Sequence, residues 1–285
     1  MDETISKPIA FLLVSSLLAI LAQGNNFTSD FEVMWGDSTH ATVANNGSLL
    51  MLTLDEASGA NLQSYDLYQY GRLDMLVKFV PHNSQGTITT FYLSSNGTKQ
   101  DEIDFEFLGN YGNKEYVVHT NVWTGGVGGR EQQFHLWFDP RANFHNYSIL
   151  WNPLNIIWYV DGTPVRVFKN YTLKGAEYPA LPMRTIVSLW NGDSWATDDG
   201  KTKIDWSQAP FRSWYANYSA SDCLVSNSTM SHLSSNCSSY PWFNKTLSSD
   251  EMKNLTWVQN NYMIKNYCND TDTYPNGFPP ECYLS

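Results

Sequence analysis

Short segments in which apolar and polar residues alternate fill the chain from residue 25 to about residue 210. Alternation with a period of two is the pattern of a β-strand with one buried face, and Gly, Asn, Asp and Pro between the segments are typical of turns. The segments lie at 48–54, 71–79, 87–93, 116–123, 133–138, 147–151, 156–160, 165–168 and 185–190. Asp161-Gly162, between two of them, is a hairpin turn signal. So many closely spaced strands predict an all-β, two-sheet sandwich of jelly-roll type rather than an alternating α/β fold.

The pattern changes after Trp206, where the sequence becomes rich in Ser and Asn and carries cysteines. Ser248 and Glu251 are spaced as a capping box, which marks the start of a helix. Apolar residues then recur at helical spacing, at Met252, Leu255, Val258 and Tyr262. We therefore predict a β-jelly-roll domain over residues 25–210, followed by a small extension over 211–285 that contains a helix and packs on the same domain.

One strand-like segment, residues 101–110, has two very different faces. Its apolar face carries three bulky residues, Ile103, Phe105 and Phe107. Its other face carries three acids, Glu102, Asp104 and Glu106, with no Lys or Arg among them. Like charges on one strand face repel each other, so this arrangement costs stability. The simplest explanation is the solvated outer face of an edge strand, but such faces usually mix charges and favour Lys.

The acidic segment is better explained by carboxylate chemistry, and glycoside hydrolysis or transfer uses a carboxylic acid and a carboxylate on either side of a glycosidic bond. Glu102 and Glu106 are four residues apart, so their Cα atoms lie about 13 Å apart on a flat strand. A retaining reaction places the carboxyl groups roughly 5–5.5 Å apart. The side chains must lean together, which is easiest on the concave face of a curved sheet. No serine-hydrolase elbow, phosphate-binding loop or His-Glu-x-x-His motif offers a competing site.

Composition narrows the class of substrate. Aromatic residues make up 15% of the chain, with 11 Trp and 17 Tyr, and such rings stack on the apolar faces of sugars as well as filling β-sheet cores. The formal net charge of −11 argues against nucleic acid or an anionic membrane as a partner. The same charge disfavours a polyanionic polysaccharide, so we expect a neutral glycan.

The N-terminus resembles a secretory signal peptide over residues 1–24. Lys7 precedes an apolar run at 9–22, and Ala22-Gln23-Gly24 forms a small-residue cleavage site. The run is too short to span a bilayer. Eleven Asn-x-Ser/Thr sequons also favour an extracellular protein, at Asn26, Asn46, Asn96, Asn146, Asn170, Asn217, Asn227, Asn236, Asn244, Asn254 and Asn269. Asn146 and Asn170 lie in strand-like sequence, where a glycan is harder to place.

All four cysteines fall in the last quarter of the chain, at Cys223, Cys237, Cys268 and Cys282. In an exported protein they predict two disulfides, with three possible connectivities. The alternative is a zinc site, which is disfavoured because no Cys-x-x-Cys or Cys/His pair has ligand spacing.

Eight further motifs follow the acidic strand. They are His-Thr-Asn-Val at 119–122, Arg-Glu-Gln-Gln at 130–133, Leu-Trp-Phe-Asp-Pro at 136–140, Ser-Leu-Trp-Asn at 188–191, Trp-Ala-Thr at 195–197, Asp-Trp-Ser-Gln-Ala-Pro-Phe at 205–211, Trp-Val-Gln-Asn-Asn-Tyr-Met-Ile at 257–264 and Pro-Asn-Gly-Phe-Pro-Pro-Glu-Cys at 275–282. Together with the acidic strand, these motifs resemble the plant xyloglucan endotransglucosylase/hydrolases of glycoside hydrolase family 16, over nearly the whole mature chain.

The resemblance implies a curved jelly roll with Glu102 as nucleophile, Glu106 as acid and then base, and Asp104 as the residue that tunes the nucleophile. It implies that cleft residues hold the glucan chain, at His119, Thr120, Asn121, Arg130, Glu131, Trp190, Ser194 and Trp195. Trp190 could instead be ordinary core, and Arg130 and Glu131 could form a surface ion pair. The resemblance also implies the pairs Cys223–Cys237 and Cys268–Cys282, and no metal or organic cofactor.

Several positions depart from the family pattern. Residues 110–112 are not a sequon, although most members carry one directly after the acidic strand. Gly129 and Ser194 stand where the family usually has Asp, Asp199 where it often has Gly, and Thr273 where it often has a basic residue. These positions concern acceptor affinity and selectivity, because none of them belongs to the three carboxylates.

We therefore expect a secreted, monomeric enzyme of the plant cell wall that cuts the β-1,4-glucan backbone of xyloglucan and passes the fragment to another xyloglucan chain. Transfer is favoured over hydrolysis because segments 190–206 and 123–130 show no insertion relative to the transferase pattern. The alternatives are a mainly hydrolytic endo-β-glucanase, a hetero-transglycosylase that uses other β-glucan acceptors, and a jelly-roll lectin that binds glycan without cutting it.

Overall fold

The computed structural model describes residues 26–112, 114–225 and 237–284, so the predicted signal peptide and the sequons Asn227 and Asn236 lie outside it. Within these ranges the chain forms fifteen strands and one α-helix. They are β1 Phe31–Trp35, β2 Ala41–Ala44, β3 Leu49–Leu54, β4 Ala60–Ser64, β5 Tyr68–Lys78, β6 Thr87–Ser94, β7 Glu102–Leu108, β8 Val117–Trp123, β9 Gln132–Phe134, β10 His145–Trp151, β11 Asn155–Val160, β12 Thr163–Lys169, β13 Arg184–Asn191, β14 Phe211–Leu224, α1 Ser249–Asn261 and β15 Met263–Asn266.

The strands form two antiparallel sheets, as the all-β prediction requires. The first sheet has the order β1-β4-β13-β6-β7-β8-β9-β15, and the second has the order β12-β11-β10-β5-β14-β3-β2. The core lies between the sheets, where Phe105 packs edge-on against Tyr147 at 5.6 Å and Phe107 lies 4.4 Å from Phe79. Ile103, Phe105 and Phe107 are all buried, so the predicted apolar face of the acidic strand is confirmed.

The nine strand predictions correspond to observed strands, with one notable difference in length. Strand β9 ends at Phe134, although the alternating pattern continues to residue 138. The chain leaves the sheet there because the His135 amide donates to the Tyr262 carbonyl. Trp137 then packs against the rings of Trp257 and Tyr262. Contacts with the C-terminal part of the chain therefore override the local alternation.

The C-terminal part of the chain is integrated with both sheets. Strand β14, which begins at Phe211, lies between β5 and β3 in the second sheet, and β15 adds an eighth strand to the first sheet. The capping box of α1 is confirmed, since the Glu251 amide donates to Ser248 Oγ and the Ser248 amide donates to Glu251 Oε2. No helix in the described part of the chain has the length and apolar character needed to cross a membrane.

The four cysteines form the disulfides Cys223–Cys237 and Cys268–Cys282, with Cα–Cα distances of 5.6 and 5.4 Å. This is the sequential pairing, and it leaves no cysteine free to bind zinc. The first bridge joins the end of β14 to Cys237, and the second ties the segment after β15 to Cys282.

Candidate active site

The acidic face of β7, defined by Glu102, Asp104 and Glu106, lies in the interior of the first sheet. Strand β7 pairs with β6 on one side and β8 on the other, so the edge-strand explanation is wrong. All three carboxylates line one cavity of about 250 Å³. The three predicted catalytic side chains therefore face a common space.

Burial and mutual repulsion raise the pKa values of the three carboxyl groups on this face, which favours their protonated forms. Burial raises the pKa of Asp104 well above its usual range, and the charges of Glu102 and Glu106 raise it further. Burial, followed by the charges of Glu102 and Glu131, raises the pKa of Glu106 to about 8. Burial raises the pKa of Glu102 too, but hydrogen bonds from Ser94 and Asp104 act against that shift. Asp104 therefore donates to Glu102 and keeps it the easiest of the three to ionise, while Glu106 keeps its proton at neutral pH.

His119 is the neighbour of Glu106 on β8. The two residues are direct cross-strand partners, and His119 Nε2 lies 3.8 Å from Glu106 Oε2 and 4.0 Å from Glu131 Oε1. Burial lowers the pKa of His119 to about 4, so the ring is neutral. The Gln133 amide donates to Nδ1 at 3.4 Å, which leaves the hydrogen on Nε2, and that nitrogen is buried without a partner among the described residues. It is positioned to donate to an incoming sugar oxygen beside Glu106.

Asn121 and Glu131 also lie near the acidic face. Asn121 is the cross-strand partner of Asp104, and its Oδ1 accepts the amide of Arg130 at 2.9 Å. Glu131 binds Lys265 of β15 through a 2.8 Å ion pair. Lys265 was not predicted as a site residue, and it reaches this position because β15 extends the sheet next to β9.

Two of the predicted cleft residues are buried and do not line the carboxylate cavity. Thr120 pairs with Phe105, whose side chain faces the core, and Thr120 itself is fully buried with its hydroxyl donating to the Gln132 carbonyl. Arg130 is buried and binds Glu281 at 2.6 Å. Because Arg130 pairs with Glu281 and Glu131 with Lys265, the alternative of a surface ion pair between Arg130 and Glu131 is wrong.

The tryptophans differ in their distance from the acids. Trp190 lines the carboxylate cavity and is not ordinary core. Trp195 lies 6.5 Å from Trp190 and meets the His119 ring edge-on at 5.5 Å, so it lies above the Glu106 side of the site. Ser194 is exposed and does not line the cavity.

Sequence reasoning missed several cavity residues, which are Trp35, Asn61, Thr90, Tyr92 and Ser188. Thr90 and Tyr92 could have been found, because they alternate with the buried Phe91 and Leu93 on β6 and so belong to the non-core face. Trp35 and Asn61 reach the cavity through the pairing of β1 with β4 and of β4 with β13, which the sequence does not encode locally.

No group of three or more His, Cys, Asp or Glu side chains with the arrangement of a metal site occurs in the described ranges. The polar groups around the cavity are carboxyl, hydroxyl, amide and imidazole groups, together with aromatic rings. Such a lining suits a neutral polyhydroxylated ligand, whose hydroxyls hydrogen-bond and whose ring faces stack.

Comparison with known proteins gives matches over nearly the whole chain. Residues 27–208 match the model for glycosyl hydrolases family 16, and residues 236–282 match that for the xyloglucan endo-transglycosylase (XET) C-terminus. The chain is 48% identical to xyloglucan endotransglucosylase protein 1 of Diospyros kaki, covering 95% of this chain and 92% of that protein. It is also 48% identical to xyloglucan endotransglucosylase/hydrolase protein 22 of Arabidopsis thaliana, covering 95% and 96%. Among solved structures it resembles a Bacillus licheniformis β-glucanase, with a TM-score of 0.56, 25% identity, and coverage of 69% of this chain and 93% of that one.

Proposed function

The chain belongs to glycosyl hydrolase family 16 and carries the xyloglucan endo-transglycosylase C-terminus, and from this premise we propose that its acidic face cleaves the glucan backbone of xyloglucan and transfers the fragment to a second xyloglucan chain. The observation that carries the proposal is the set of three largely buried carboxyl groups in one cavity, each with a different pKa environment.

In the first step, Glu106 donates its proton to the glycosidic oxygen of the leaving chain. Its raised pKa of about 8 keeps this acid protonated at neutral and mildly acidic pH. Glu102 attacks the anomeric carbon, the C–O bond to the leaving chain breaks, and a covalent glycosyl-enzyme forms. Asp104 hydrogen-bonds to Glu102 and so keeps the nucleophile ionised beside two other acids.

In the second step, Glu106 has lost its proton and acts as the base. It takes the proton from a hydroxyl of the second sugar chain, whose oxygen attacks the anomeric carbon and releases Glu102. Water in the same position gives hydrolysis instead. The neutral His119, with Nε2 facing Glu106 at 3.8 Å, orients the attacking or leaving oxygen.

We place the donor chain over β6, β13, β4 and β1, where Trp35, Asn61, Tyr92 and Trp190 line the cavity. The acceptor chain then lies over β8, β9 and β15, along His119, Glu131 and Lys265. Thr120 and Arg130 are buried and support this side without contacting sugar. The signal-like segment 1–24 and the sequons support export to the plant cell wall, where we propose that the protein acts as a monomer.

Incubation of the protein with xyloglucan and a labelled xyloglucan oligosaccharide tests the proposal. We expect label to enter the polymer, and we expect Glu102→Ala to abolish incorporation. A rise in reducing ends without incorporation would replace transfer with hydrolysis. Binding of xyloglucan without either change would identify a lectin, and label entering mixed-linkage glucan or cellulose in parallel assays would identify a broader acceptor range.

A further inference from the structure

Behind the acidic face lies a buried cation that the reaction scheme above does not use. Arg166 of β12 is 1% exposed, and its guanidinium lies in the interior between the two sheets. Among the residues that the structure describes, no carboxylate forms an ion pair with it. Burying an unpaired charge costs several kcal/mol, which an apolar residue of similar volume would avoid. The presence of Arg166 therefore requires a physical reason.

Arg166 shares the core face of β12 with Phe168. Phe168 pairs with Ile156 and Arg166 with Trp158 in unbroken register, whereas Val167 pairs with Ile157 on the outer face. The pairing of β11 with β12 shifts register between Trp158 and Tyr159, and both Val165 and Arg166 are buried. A bulge of this kind re-aims side chains. The bulge turns Val165 inward beside Arg166, which is the direct cross-strand partner of Trp158.

The guanidinium contacts three segments that form the site. Its Nη1 donates to the carbonyl and the hydroxyl of Thr120 at 2.9 Å, and its Nη2 donates to the carbonyl of Arg130 at 2.6 Å. It stacks on the Trp158 ring at 4.8 Å, and the Trp158 indole donates to the backbone carbonyl of Asp104 at 2.9 Å. Arg166 thus holds β8 directly and β7 through Trp158.

The surrounding charges indicate which anions Arg166 balances. Glu281 lies near it, but Arg130 already binds that carboxylate at 2.6 Å. Tyr267 stacks against Arg166 at 5.8 Å, and burial raises the pKa of its phenol, so it carries no charge. The charge of Asp104 also acts on Arg166. The Glu102–Asp104 pair, which shares one negative charge, is therefore the anionic group left without another counter-charge.

We propose that Arg166, together with Trp158, is a positioning residue that supplies the positive charge behind β7 and so sets the pH range in which the acidic face carries the ionisation state needed for glycosyl transfer. The inference rests on the proposed function for its kinetic readout. Burial lowers the pKa of Arg166 only to about 10, so it remains a cation throughout that range. Its positive charge favours the ionised form of Asp104 and opposes the effect of burial there.

The test compares the pH dependence of kcat/KM for transfer in four proteins: the wild type, Arg166→Met, Arg166→Lys and Arg72→Met. Arg72 is a matched control because it also stacks on a β11 ring, Tyr159 at 5.3 Å, but forms an ion pair with Asp74 at 3.0 Å. We expect Arg166→Met to move the acid limb, which reports the Glu102–Asp104 pair, upward by about one pH unit, a tenfold loss at fixed pH on that limb. The alkaline limb should stay in place, because the charge of Arg166 is not among the causes of the raised Glu106 pKa. On the acid limb, we expect kcat/KM of Arg166→Lys to stay within about twofold of the wild-type value at each pH. Arg72→Met should leave the position of that limb unchanged.

A wild-type acid limb in Arg166→Met would overturn the inference, whatever the overall loss of rate, and so would an equal shift of that limb in Arg166→Lys. If Arg166→Met does not fold, Arg166→Gln takes its place, because it removes the charge but keeps an amide donor for the Thr120 carbonyl. An unmoved acid limb in that variant would equally contradict the inference. A carboxyl-¹³C NMR titration of the acidic face reads the same shift without turnover, so an enzyme inactive on xyloglucan would refute the proposed function while still testing the role of Arg166.

Discussion

Glu131 raises the pKa of Glu106 through space, and its replacement by Gln tests the proposed acid. Glu131 is not a hydrogen-bond partner of Glu106, but its charge is one of the causes of the raised pKa. Removing the charge must make Glu106 easier to ionise. Because Glu106 has to be protonated when the glycosidic bond breaks, the alkaline limb of kcat/KM should move to lower pH in Glu131→Gln.

The size of the shift follows from the geometry. The carboxylate oxygens of Glu106 and Glu131 lie 3.8 and 4.0 Å from the same nitrogen of His119, so they are at most about 8 Å apart. At an effective dielectric constant of about 20, two charges at that distance repel by about 2 kcal/mol. Lys265, 2.8 Å from Glu131, and solvent around this partly exposed side chain remove about half of that. The remaining ~1 kcal/mol corresponds to about 0.7 pKa units, so the limb should fall from near 8 towards 7.

The assay is the initial rate of label incorporation at low substrate over pH 4–9. Glu177→Gln is the matched control, since Glu177 is exposed and its charge is not among the causes of the Glu106 shift. Lys265→Met should move the alkaline limb in the opposite direction, because it leaves the Glu131 charge uncompensated. An upward or absent shift in Glu131→Gln, or the same direction in both variants, would refute the electrostatic reasoning.

Three further outcomes are expected. His40 lies between two aspartates, at 2.9 and 3.2 Å, and hydrogen bonds to them raise its pKa. Its contribution to stability is present below pH 6.5 and disappears as pH rises through the raised value, so His40→Gln should lower Tm at pH 5.5 and not at pH 8.5. Ser248→Ala removes the helix cap and should cost about 1 kcal/mol in denaturant unfolding, whereas Ser249→Ala should cost little. Glycopeptide mass spectrometry should find Asn96, which is exposed, occupied, and Asn146, whose amide donates to Asp74, bare.

The strands and the acidic face could be predicted from sequence because both depend on local alternation. The acidic segment has Ile103, Phe105 and Phe107 on one side and three acids on the other. This alternation predicts a strand with one buried face, whichever strands pair with it. The helix start at Ser248 was predictable for the same reason, since a capping box is local.

The neighbours of that strand could not be predicted, because strand pairing joins residues far apart in the chain. Trp35 and Asn61 reach the cavity only through the order β1-β4-β13-β6-β7, and Lys265 only because β15 pairs with β9. Thr120 was expected in the cleft from the resemblance, yet it alternates with His119 and Asn121 and therefore faces the core. Arg166 shares the core face of β12 with Phe168, but its contacts with Thr120 and Arg130 depend on how the two sheets pack.

The central claim is that Glu102 forms a covalent bond to the donor sugar. Rapid quenching of the enzyme with a xyloglucan oligosaccharide donor, followed by peptic digestion and mass spectrometry, measures this directly. We expect the mass of the transferred glycosyl unit on the side chain of Glu102, and its loss when a second oligosaccharide is added before the quench. A sugar attached to Glu106 or Asp104, or turnover with no sugar on any of the three, would contradict the assignment.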